Sequence, residues 1–211
     1  MTASTTAAGY AAFISYSHSA DLDLAPHVQT GLQRLAKPFW RMPLIRVYRD
    51  RTNLSASPGV WSSIEQALSG SRWFILMASP QAARSEWVEK EVDWWLQHRS
   101  ARSLLIVVTA GELAWDGAAR RYDAVGTTCL PTALLTAFEE EPNWVDLRWA
   151  RHAADLSLRH ARFRAAILDL AAPLHGRPKE ALDSADITQH RRTRAVSAGA
   201  ITAMLRASAT D

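Results

Sequence analysis

Short apolar runs of strand length alternate with amphipathic stretches along this chain. The runs cover 10–16, 44–48, 73–78, 104–108 and 144–147. Between them, apolar residues recur at three- and four-residue spacing. Val28, Leu32 and Leu35 mark a helix that stops near Lys37-Pro38, 60–68 a helix that ends at Gly70, and 85–98 and 156–170 two more. The runs are nearly unbroken rather than alternating, as in strands covered on both faces. Strands and helices in this order predict an α/β domain with a five-stranded parallel sheet, helices on both faces, and 144–147 as an edge strand. The segment 111–130 has no period and is expected to be a surface loop, and 132–138 a short helix.

The stretch 71–96 is the most informative. Its strand, 73–78, leads into Ser79, a helix cap, and Pro80, which suits a first helical turn. Placed on a helix at about 100° per residue, 85–98 sorts into three sets. Val88, Val92, Trp95 and Leu96 form an apolar stripe, while Glu86, Glu89, Lys90, Asp93 and Gln97 form a solvated side. Trp87, Glu91, Trp94 and His98 line one flank. Glu91 is thus the one charged residue off the polar face. A carboxylate at the margin of a core loses hydration and tends toward a raised pKa, a property of functional carboxylates. An edge glutamate that reaches solvent or pairs with an arginine is the other reading. Trp94 and Trp95 are adjacent and cannot share one cleft, which assigns Trp95 to the core and Trp94 to the surface or an assembly contact.

Ligands of parallel α/β sheets bind at the carboxyl ends of the strands. The segments after Tyr16, Tyr48 and Ala78 belong to that edge, and whether Glu91 reaches it depends on the tilt of its helix. The polar segment 49–59 is too long for a tight connection and is a candidate functional loop. No Gly-x-Gly-x-x-Gly or Gly-Lys-Ser/Thr loop follows any strand, so a conventional dinucleotide or triphosphate cradle is absent.

Composition narrows the picture without redirecting it. The 211 residues suit one domain with an appendage, 48% hydrophobic and 21% charged, and nine tryptophans are enough for some to line a surface or cleft. The single cysteine, Cys129, excludes an internal disulfide framework and suits a reducing cytoplasm. Seven histidines show no ligand spacing, so no metal site is expected. The N-terminus lacks the basic start and apolar core of a secretory signal. The net charge of +3 is modest, and its uneven part, the basic cluster at 190–194, reads as a solvated charge run, with no nucleic acid expected. The segment 195–207 is short and interrupted by Arg206, below the ~20 apolar residues a membrane span needs. The expected organisation is a loose tail over 1–9, one domain over 10–172, and a basic extension over 173–211.

Three boxes in order carry a family resemblance. Ala12-Phe13-Ile14-Ser15-Tyr16-Ser17 resembles the opening box of the TIR (Toll/interleukin receptor) domains in their bacterial form. Val47-Tyr48-Arg49-Asp50, Leu54 and Pro58-Gly59 resemble the family's BB loop, with Ile64 matching the helix behind it. Ser85-Glu86-Trp87-Val88-Glu89-Lys90-Glu91 resembles its Ser-x-Trp-x-x-x-Glu signature. The resemblance implies the flavodoxin-like TIR fold. In enzymatic members the glutamate matching Glu91 cleaves NAD+, and the tryptophan matching Trp87 lies close to the substrate. NAD+ is then a substrate, with no further cofactor. The resemblance also places Tyr16, Ser17 and His18 on the opposing wall, although Ser17-His18 departs from the basic pair common in enzymatic relatives. Asp50, Arg51 and Leu54 would brace the BB loop or touch ligand. Relatives are activated by self-assembly, so a homo-oligomer formed through the BB loop is implied, with an upstream activator or fused domain as trigger. A non-catalytic adaptor, working by homotypic association alone, is the alternative.

Overall fold

A computed structural model of the chain describes residues 9–35, 47–49, 59–153 and 155–184. In chain order its elements are β1 (Tyr10–Ser15), α1 (His18–Asp21), α2 (Leu24–Leu35), β2 (Val47–Arg49), α3 (Val60–Ser69), β3 (Ser71–Ala78), α4 (Pro80–Ala83), α5 (Glu86–His98), β4 (Leu104–Val108), β5 (Trp115–Asp116), β6 (Arg121–Tyr122), β7 (Trp144–Asp146) and α6 (Ala161–His175). Five strands form one sheet in the order β2-β1-β3-β4-β7, and every neighbouring pair is parallel.

Alternation along the strands divides the interior in two. Ile14, Tyr16, Ile75, Met77 and Val107 face α2 and α6. Phe13, Phe74, Leu76, Ala78, Ile106 and Val108 face α3, α4 and α5. Both faces are apolar because both are covered, so β3 buries every side chain from Phe74 to Ala78. On the first face α2 and α6 approach so closely that a Cβ on Gly31 would lie 3.0 Å from Ile167.

Three predicted elements differ. The segment 111–130 is no simple surface loop: β5 and β6 pair antiparallel, and Tyr122, Cys129 and Leu130 are buried against the α3–α5 face. Two-residue strands are too short to show a period. The last helix begins at Ala161, capped by His160, whose Nδ1 accepts from the Phe163 amide at 3.2 Å, because Ser157 turns back on Asp155 ahead of it. It also runs through Pro173 to end at Gly176, whose left-handed φ of 60° closes the helix. Only Thr132–Leu134 of the short helix expected over 132–138 is helical, as a single 3-10 turn.

Candidate active site

The chain leaves β3 at Ala78 and meets two capped helix starts in succession. Ser79 is extended, and its Oγ accepts from the Ala82 amide at 3.1 Å, with Pro80 at the first helical position. The resulting helix α4 lasts one turn. Ser85 then caps α5, accepting from the Val88 amide at 3.4 Å. This break re-aims the helix, so Glu91 sits in the second turn of α5 rather than three turns from the strand.

Glu91 is only 3% exposed. The Ser15 hydroxyl, fully buried at the last residue of β1, donates to Glu91 Oε2 at 2.5 Å. A carboxylate therefore stands inside the protein at the carboxyl end of a central strand, the edge where ligands of such sheets bind. The periodicity placed Glu91 on a flank, and the structure brings it fully inside.

Trp87, one turn earlier, is 41% exposed. Its ring faces Trp61 of α3 at 6.4 Å, and Lys90 Nζ lies 3.9 Å from the Trp61 ring centroid and 5.9 Å from that of Trp87. Further along, Trp94 donates from Nε1 to Glu65 at 3.0 Å and stacks on His98, while Trp95 is buried against Phe74. The division of labour expected between Trp94 and Trp95 is the one found.

Tyr16 points to the other side of the sheet, into the cluster beneath α2 and α6. Arg49 donates to its hydroxyl at 3.2 Å and to Gln29 Oε1 at 3.1 Å, and Gln29 in turn donates to the Val47 carbonyl. His18 packs on the Tyr16 ring at 4.9 Å, and Ser17 shares a hydrogen bond with Ser19 at 2.9 Å. Tyr16 thus lies at the same strand edge as Glu91 but on the opposite face of the sheet, and Ser17 and His18 follow it directly in the chain. Asp50, Arg51 and Leu54 lie outside the described residues.

A second buried polar group was not singled out from the sequence. Asp21, 1% exposed, follows β1 and accepts from Arg151 Nη2 at 2.8 Å and from Ser79 Oγ at 3.4 Å. Arg151 also donates from Nε to the Thr109 carbonyl at 2.7 Å and from Nη1 to the Ala20 carbonyl at 2.9 Å. Segments following β1, β3, β4 and β7 thereby converge on one ion pair. Burial pushes the Asp21 carboxyl above its ordinary value, against the opposing pull of Thr109, Arg151 and Ser79. An aspartate in a polar loop gives no sign of this, and its arginine lies 130 positions away.

The family model for the TIR domain matches residues 12–158, well over half of the chain. The chain belongs to the TIR domain family. It is 50% identical over 192 residues to the NAD(+) hydrolase ApTIR of an Actinoplanes species, an alignment that covers 91% of this chain. The TIR domain described here spans only 27% of that relative's length. Among solved structures, the TIR domains of the activated Roq1 resistosome recognising the effector XopQ match with a TM-score of 0.38 at 16% identity, over 76% of this chain and 82% of theirs. No helix among the described residues of this TIR domain is long and apolar enough to cross a membrane.

Proposed function

We propose that this TIR domain cleaves the bond between nicotinamide and ribose in NAD+, releasing nicotinamide and ADP-ribose or a cyclic ADP-ribose. The observation that carries the reading is the buried Glu91 carboxylate, held by Ser15 at the carboxyl end of β1. The name of the half-identical relative, an NAD(+) hydrolase, supports the choice of substrate.

The chemistry asks little of an acid. Nicotinamide leaves as a neutral molecule because the pair of electrons from the broken C–N bond cancels its pyridinium charge. What needs stabilising is the oxocarbenium-like ribose left behind, and a carboxylate in a water-poor site does this by its charge and by accepting hydrogen bonds from ribose hydroxyls. Water adding to the anomeric carbon, with loss of a proton, gives ADP-ribose; attack by a group of the same molecule gives the cyclic product. Glu91 is assigned to the ribose and the developing charge, and Trp87 to stacking on a ring of the substrate. Tyr16, Ser17 and His18 are assigned to the far wall, and Asp50, Arg51 and Leu54 to the BB loop of an assembled neighbour. The working unit is 10–172, acting in the cytoplasm, with 1–9 as a tail and 173–211 as a basic extension.

The test is nicotinamide release from NAD+, followed by chromatography at high protein concentration with a crowding agent. Glu91→Ala is expected to lower the rate about 100-fold or more while circular dichroism stays unchanged. If the clustered wild-type chain leaves NAD+ intact, the adaptor reading replaces this one.

A further inference from the structure

We infer that Ser15 is the positioning residue of the Glu91 carboxylate, an inference that rests on the catalytic reading of Glu91. Ser15 closes a strand whose preceding residues, Ala11, Ala12, Phe13 and Ile14, are all buried and apolar. Packing alone would be served there by another alanine. Ser15 is 0% exposed, so its hydroxyl needs a partner in the interior, and the group it meets is Glu91 Oε2.

The two ends of that hydrogen bond differ in freedom. Ser15 belongs to β1, which is paired on both sides: Ser15 itself is in register with Leu76 of β3, and the adjacent Ile14 with Arg49 of β2. Its Cα is therefore fixed by the sheet, and its side chain has a single rotatable bond to the oxygen. Glu91 reaches the strand edge through three rotatable bonds from a helix. A short donor on a rigid strand can fix the plane of a carboxylate on a longer arm, and an effect that works only in the transition state is sensitive to such misplacement. Strand alternation supplies the direction: Ser15 shares the α3–α5 face with Phe13, whereas Tyr16 turns to the other face.

Three substitutions in the full chain separate positioning from packing: Ser15→Ala removes the hydroxyl, Ser15→Cys keeps the volume with a weak donor, and Ser15→Thr keeps the hydroxyl and adds a methyl. The readouts are kcat and KM for NAD+ under assembling conditions, together with the thermal midpoint. Ser15→Ala and Ser15→Cys are expected to lower kcat about 10- to 100-fold, as for loss of a hydrogen bond to a charged group, with KM within about two-fold of wild type. Ser15→Thr should recover most of kcat even if its midpoint is the lowest of the three. Wild-type kcat in Ser15→Cys, or kcat that follows the thermal midpoint across the series, overturns the inference. If the unsubstituted chain and Glu91→Ala release nicotinamide equally, or neither releases any, the catalytic reading itself fails and this inference falls with it.

Discussion

Asp21 is a carboxylate with almost no access to water, and its ionisation depends on the guanidinium of Arg151, whose side chain keeps 30% of its surface exposed. Burial raises the folded-state value above the ordinary 3.8, so the carboxyl itself favours folding most below that value and less as pH rises through the folded one. Arg151 offsets this by stabilising the anion. Arg151→Met should therefore cost stability in a pH-dependent way: about 3 kcal/mol near neutral pH, where Asp21 must either hold an unpaired charge or take up a proton, and much less below its ordinary value of 3.8, where the raised carboxyl is protonated in both proteins. Urea denaturation of both proteins at the two pH values checks this, and an equal loss at both would remove the ion pair from the account. At this scale the sequence was unevenly legible. Glu91 stood out because helical geometry separates it from five polar neighbours. Ser15 did not, since a serine closing an apolar run looks like the end of a strand, and Asp21 looked like ordinary loop polarity.

Between residues and fold, the one-turn helix α4 and the cap at Ser85 decide where Glu91 stands. Had one helix begun at Pro80 and continued, Glu91 would fall about three turns along it rather than in the second turn of α5. Ser85→Ala removes the acceptor for the Val88 amide and should destabilise the protein by about 1 kcal/mol, seen as a lower urea midpoint with an unchanged slope. An unchanged midpoint would show that tertiary packing of Val88 and Val92 alone fixes the start of α5. The central strands β1, β3 and β4 were legible as elements because each is a largely buried apolar run. The β5–β6 hairpin and the true start of α6 were not. The hairpin is held by Tyr122 packing edge-on against Trp115 and Phe138, a long-range fit with no local period. The start of α6 is set by the His160 cap and the Asp155–Ser157 turn, while Leu156 and Leu158 mimic the continuing helix by packing on the core from a loop.

At the scale of the molecule, the parallel sheet gathers the segments after β1, β3, β4 and β7 at one edge, and an active site there would be assembled from the whole chain. If a neighbour's BB loop completes it, specific activity should rise with protein concentration and with the scattering mass of the sample; full activity in a strict monomer would remove assembly from the proposal. The architecture was readable from the order of runs and amphipathic stretches, because a covered parallel sheet leaves few other arrangements of that order. The tie between Asp21 and Arg151 was not, since it links residues 130 positions apart. That separation is also an interval of time during translation. At roughly 5–20 residues per second, the ribosome adds Arg151 on the order of ten seconds after Asp21. Throughout that interval the growing chain already holds Ser15, and in its later part Glu91 as well, while Asp21 lacks its cation. The tie between Asp21 and Arg151 therefore cannot form until all the strands that frame this edge have been made.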